Sequence, residues 1–262
     1  MKSKNLFLLG LAILIGLCLW IYLGQTLRDP PVHEPRVTQS GPAQTTGPKE
    51  SAHKGRNLSP MDQKGIHVVA DPASILVLVN KHFKLPENYV PRSLVYPNVP
   101  FLSGRTEKAK MRRVAAKALE RMFAAAEKDG IHLAGVSAYR SHRSQVMLFE
   151  RYAAIDGEKK ALTYSALPGT SEHETGLAID VSGLSGKYAA TPAFAGTPEA
   201  VWLKAHAQEY GYIIRYPKGK ETVTGYEYEA WHLRYVGLPA SKVIKDRHLA
   251  LEEYLSTVPV TN

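Results

Sequence analysis

Cysteine is almost absent from this chain: among 262 residues only Cys18 carries a thiol. A single thiol builds no disulfide framework and no thiolate zinc finger, and its place in an apolar N-terminal run rules it out as a nucleophile for the rest of the chain. A dense basic stripe is missing as well. The formal net charge of +9 is spread over mixed-sign stretches such as residues 107–128, and without clustered Lys/Arg and interleaved aromatics no nucleic-acid binding is expected. Modest basicity of this kind suits an anionic wall or membrane surface, or is the ordinary solvated lysine of a protein exterior. No internal repeat is present.

Charge is missing from Leu6 to Leu23, a run of eighteen residues preceded by Lys2 and Lys4. That is just enough to cross a hydrocarbon core as a helix. The run ends Tyr22-Leu23-Gly24-Gln25-Thr26 without an A-x-A-like cleavage site, so it reads as an uncleaved anchor in preference to a signal peptide. Leu17 ahead of Cys18 argues against lipoprotein processing. By the positive-inside rule the tip lies in the cytoplasm and the rest outside, which places the protein in the cell membrane as a single-pass chain. Large apolar residues are scarce over 24–65, where six prolines and five glycines fall. Such a segment cannot bury enough surface to offset its ordering entropy and is expected to be a disordered tether. Residues 66–262 suffice for one domain with a proper core. Three parts result: the anchor, 1–23; the tether, 24–65; and a catalytic domain, 66–262.

Within that domain Asp71-Pro72 predicts the start of a short helix over 73–81. Apolar residues at 111, 114, 115, 118, 119, 122, 123 and 126 predict an amphipathic helix from Thr106 to Asp129, closed by Gly130. Ile131 to Tyr139 alternates as a strand does, Ser141 caps a helix to about Ala154, and Thr197-Pro198 opens another that ends at Gly211. Residues 212–216 and 231–236 read as strands. The expected fold is α+β, a small and largely antiparallel sheet flanked by helices in a single domain.

The chemistry concentrates in two places. Ser171 to Asp180 sets His173 and Asp180 seven residues apart around Gly176, and Glu229 and His232 follow some fifty residues later. Catalytic zinc takes three protein ligands and keeps a fourth position for water. His173, Asp180 and His232 provide that count, and Glu229 is left as the base. Glu229 and His232 are three apart and would face opposite sides of a regular strand, so their joint action requires a bend near Ala230.

The pattern S-x-H-x-x-G-x-A-x-D, met by Ser171, His173, Gly176, Ala178 and Asp180, resembles the VanY-type D-alanyl-D-alanine carboxypeptidases when taken with Glu229-x-x-His232. These belong to the fold group of lysostaphin-like endopeptidases and the Hedgehog signalling domain. Val79-Asn80-Lys81, Tyr89-Val90-Pro91, Ser137 to Ser141 with Gln145, Pro168 to His173, Tyr210-Gly211, Arg215-Tyr216-Pro217 and Trp231 to Gly237 extend the resemblance over 74–255. It implies one zinc per chain on His173, Asp180 and His232, catalysis by Glu229 and Arg140, and substrate contacts from Gln145, Ser171 and Trp231, the last also a packing residue. The implied reaction is removal of the terminal D-alanine from peptidoglycan stem peptides. L,D-carboxypeptidases acting on tetrapeptides share the motifs and are the alternative. Trp231-His232 in place of a His-x-His pair argues against an endopeptidase, and an intact Glu229 against a non-catalytic wall-binding module. The motifs leave the oligomeric state open.

Overall fold

The core of the domain is a four-stranded antiparallel sheet in the order β5-β6-β8-β7, seen in a computed structural model that describes residues 61, 62 and 65–256. Its strands are Leu133–Ser137 (β5), Ala178–Gly183 (β6), Tyr212–Ile214 (β7) and His232–Tyr235 (β8). Two small pairs lie ahead of it: His67–Val68 (β1) beside Phe83–Lys84 (β2), and Leu94–Val95 (β3) against Met111–Arg112 (β4). Every residue of β6 and β8 is buried. Period-2 alternation then sorts the two faces by residue type. Ile179, Val181 and Leu233 join the main core with Leu119 and Met122 of the helix Arg113–Lys128 (α1). Asp180, His232 and Arg234 alternate onto the opposite face.

α+β architecture with antiparallel pairing in the main sheet agrees with the sequence reading, and so do the Ser141 cap, whose side chain accepts from the Ser144 amide, and the helix His142–Asp156 (α2) behind it. Gly176 and Gly211 both sit in the left-handed region, at φ +67° and +83°.

Two expectations are corrected. No helix forms over 73–81: Asp71 Oδ1 takes the Ala73 amide and Ser74 Oγ the Leu76 amide, which diverts the donors into turns. The β-branched Val77 and Val79 then run non-helically into the core. The helix expected from Thr106 begins only at Arg113. Ahead of it the carbonyls of Lys108 and Lys110 accept from the Ala138 and Tyr139 amides, which commits this stretch to the end of β5. Just ahead of residue 66, Asp62 pairs with Lys84 at 2.6 Å and Met61 bridges to His67. The anchor and most of the tether lie outside the described residues, among which no helix is long and apolar enough to cross a membrane.

Candidate metal centre and active site

Sheet register brings two of the three expected ligands together. Asp180 on β6 stands directly opposite His232 on β8, and on its other side opposite Ser137 at the end of β5. Cross-strand partners sit about 5 Å apart at Cα, so two short side chains there reach one point. His232 Nδ1 lies 3.0 Å from Asp180 Oδ1.

The third ligand comes from a 3-10 turn, Glu172–Thr175, that leads into β6. The turn ends at Gly176, where a Cβ would meet Leu94 Cδ2 at 3.0 Å and Arg112 Cγ at 3.1 Å. Positive φ and close packing together demand glycine here. His173 Nδ1 is 2.7 Å from the Ala138 carbonyl oxygen, which only accepts; Nδ1 therefore carries the proton and Nε2 presents a bare lone pair. That Nε2 lies 3.4 Å from Asp180 Oδ2.

Donor atoms of His173, Asp180 and His232 all fall within 4.8 Å of one another, and the three residues are buried. Three ligands at about 2 Å from a zinc ion are separated by such distances. The set is two imidazoles and one carboxylate, borderline donors that suit zinc. Burial works against an imidazolium at His232, but the facing carboxylates of Asp180 and Glu172 outweigh it and hold the group up at about 10. Burial likewise opposes ionisation of Asp180, yet the two histidines keep it well below the usual carboxylate range. Burial pushes His173 down.

Glu229 joins the centre through the bend expected near Ala230. The His232 amide donates to the Glu229 carbonyl in a turn through Ala230 and Trp231, and the Glu229 amide donates to Tyr216 O. The carboxylate reaches within 3.8 Å of His232 Nδ1 without joining the ligand set. Burial raises its pKa to about 7, against the lowering effect of His232 and with help from Asp180. Arg140 follows β5, and its amide donates to the His173 carbonyl. Its guanidinium donates to Gln145 Oε1 at 2.8 Å, while Gln145 Nε2 donates to Ala166 O at 2.7 Å. Gln145 is 1% exposed, so both ends of its amide face protein. Ser171 is buried one residue ahead of the ligand turn, and Trp231 is built into the main core.

Sequence reasoning missed the residues behind His232. Glu172 Oε1 accepts from Arg215 Nε at 2.7 Å and Arg234 Nη1 at 2.6 Å, and Glu252 accepts from Arg215 Nη2 and Nη1 at 2.6 and 2.9 Å. All four side chains are fully buried. The signal was available: one arginine in each of two otherwise apolar strand segments, 212–216 and 231–236, has no reason to be there unless a buried carboxylate meets it.

Comparison with known proteins follows the same lines. The family model described as VanY, D-alanyl-D-alanine carboxypeptidase, matches residues 108–238. The chain is 48% identical over 195 residues to the putative carboxypeptidase YodJ of Bacillus subtilis (strain 168), covering 74% of this chain and 71% of that protein. It is 39% identical over 184 residues to VanXYC of Enterococcus gallinarum, a bifunctional D-Ala-D-Ala dipeptidase and carboxypeptidase, covering 68% and 92%. Among solved structures, the LdcB LD-carboxypeptidase superposes with a TM-score of 0.73 at 47% identity, over 77% of this chain and 94% of that one. The D,D-pentapeptidase VanY from a VanB-type resistance cassette, in complex with Zn(II), gives 0.56 at 32% identity, over 69% and 98%. With its ligand turn, its cross-strand Asp180 and His232 and this extent of similarity, the chain belongs to the VanY family of D-alanyl-D-alanine carboxypeptidases.

Proposed function

We infer that this chain is a zinc carboxypeptidase that removes the terminal D-alanine from peptidoglycan stem peptides, outside the membrane that its N-terminal run would anchor it to. The observation that carries this reading is the convergence of His173, Asp180 and His232 within 4.8 Å, with Glu229 beside them at 3.8 Å from His232. Zinc bound there would supply a water of pKa near 7 and a Lewis acid for the scissile carbonyl. Glu229, poised at about 7, takes the proton of the attacking water and passes it to the departing amine. Arg140 stabilises the negative charge that develops on the carbonyl oxygen, an effect on the order of 3 kcal/mol for a well-placed donor. Gln145 acts on substrate through Arg140, whose fork it orients. Ser171, one residue ahead of the ligand turn, is assigned to substrate contact, and Trp231 supports the cleft wall from the core.

Two stem peptides compete as substrate. The tetrapeptide, cleaved at an L,D bond, is favoured by the 47% identity to LdcB over 94% of that chain. The pentapeptide, cleaved at a D,D bond, is favoured by VanXYC and the VanY pentapeptidase at 39% and 32%. We rank the tetrapeptide first on the strength of the higher identity. Alanine release from defined tetra- and pentapeptides, with and without a chelator, decides it. Faster release from the tetrapeptide, abolished by chelation, is expected; chelator-resistant release would overturn the zinc reading, and a pentapeptide preference the L,D assignment.

A further inference from the structure

His173 and His232 solve the same problem by different means. A ligating imidazole must keep its lone pair on the metal side and its proton on the other nitrogen, and a partner for that proton sets tautomer and ring angle. For His173 the partner is the Ala138 carbonyl. On His232 the metal side is Nδ1, which faces Asp180 and Glu229, so the proton belongs on Nε2. Nε2 is buried and faces Glu172 Oε2 at 3.5 Å, the outer limit of a hydrogen bond. Neither atom has a well-formed hydrogen bond among the described residues.

That pair of orphaned atoms is informative because the arginines and carboxylate packed behind it are satisfied, and the other buried side-chain atom without a partner among the described residues, Ser137 Oγ, lies on the far side of Asp180. Arg215 and Arg234 both take Glu172 Oε1, which leaves Oε2 for His232 alone. Arg234 Nη2 donates to Val77 O and Ile75 O, and Asn80 Nδ2 donates to Glu252 Oε1 at 3.1 Å. Glu172 cannot share the ion, since it lies across the ring from Nδ1. Two carboxylates and two guanidiniums buried together add little net stability relative to apolar side chains of similar volume. What such a frame does supply is a carboxylate that cannot rotate.

We propose that Glu172 is the positioning residue of His232, fixing the proton on Nε2 and the lone pair on Nδ1, and that Glu252 holds Glu172 in place through Arg215. Asn80 and Glu252 lie outside residues 108–238, the stretch matched by the family model. The segments flanking that core therefore form part of the metal centre. This rests on His173, Asp180 and His232 being the zinc ligands.

The test is Zn²⁺ binding by the full chain in competition with a chromophoric chelator, together with ¹⁵N NMR of histidine-labelled, zinc-loaded protein. Glu172→Gln keeps an oxygen for the two arginines but turns an NH₂ toward His232, which favours the proton on Nδ1, where the metal should be. Zinc affinity is expected to fall about 10- to 100-fold, with the His173 signals unchanged. Glu252→Gln, remote from the ligands, is expected to lower affinity in the same direction by less. In the wild-type chain the NMR should show His232 bound through Nδ1 and protonated on Nε2, a readout that needs no variant to fold. A lower melting temperature with zinc affinity and tautomer unchanged in both variants would reduce the frame to a structural role and overturn the proposal, as would ligation through Nε2. A wild-type chain that takes up no zinc contradicts the proposed function itself.

Discussion

The groups proposed for metal binding and catalysis fall into two halves that meet at Asp180. One half, residues 138–176, holds His173 and Arg140 by backbone: the Ala138 carbonyl on the imidazole, the Arg140 amide on the His173 carbonyl, and the left-handed Gly176 closing the turn. The other, residues 215–234, holds Glu229 and His232 and is backed by the charged Glu172, Arg215, Arg234 and Glu252, with the Asn80 amide on Glu252. A ligand close in sequence to its support is held by the local fold. A ligand whose proton points into the core requires an acceptor there, and an ionised acceptor requires its own counter-charges.

The largest effect expected from breaking the second half is at Glu229. Glu229→Gln removes the proton acceptor but leaves the ligands, and kcat is expected to fall by roughly 10²- to 10⁴-fold, measured as alanine release at saturating substrate. Next comes the first half. Arg140→Ala is expected to lower kcat by about 10²- to 10³-fold with little change in KM. Arg140→Lys, which keeps the charge but not the planar fork that Gln145 grips, should retain about ten times more activity than alanine. A raised KM with kcat intact would assign Arg140 to binding of the substrate carboxylate instead.

A smaller effect tests whether backbone support is as local as it looks. Gly176→Ala forces a side chain into the left-handed region and against Arg112 and Leu94, at a cost of about 1–3 kcal/mol. Thermal melts should show that loss, while zinc affinity of the folded fraction changes less than in Glu172→Gln. The reverse ranking would erase the contrast between the halves.

A further effect, spread over several pH units and so small at any one pH step, is one of pH. With the metal absent, the folded pKa of His232 is about 10, above the unfolded value of about 6.5. The folded chain then binds the extra proton, so this contribution is complete below about pH 6.5 and is lost as pH rises toward 10. Stability of the metal-free protein is expected to fall between pH 7 and 9 by at most about 1.4 kcal/mol per unit. Zinc must displace that proton, so stabilisation by zinc should grow over the same range. Chemical denaturation at several pH values, with and without zinc, measures both slopes.

Much of the first half was legible in the sequence. His173, Gly176 and Asp180 are close along the chain, and their types and spacing carry the chemistry. The bend at Ala230 was also within reach, because Glu229 and His232 cannot act together on a straight strand. The Asp180 to His232 pairing was not, since register depends on which strands meet. Nor were Glu172 and Glu252, which Arg215 joins by folding between them. The helix expected at 73–81 failed because local side-chain acceptors took the amides that propensity had assigned to a helix.

The most direct test of the account is zinc stoichiometry by equilibrium dialysis on the wild-type chain and on His173→Ala, His232→Ala and Glu229→Gln, each assayed in parallel for alanine release. One zinc per wild-type chain, one in the inactive Glu229→Gln, and none in either histidine variant is the predicted pattern. Zinc lost from Glu229→Gln as fully as from the histidine variants would make Glu229 a ligand and contradict its role as the base.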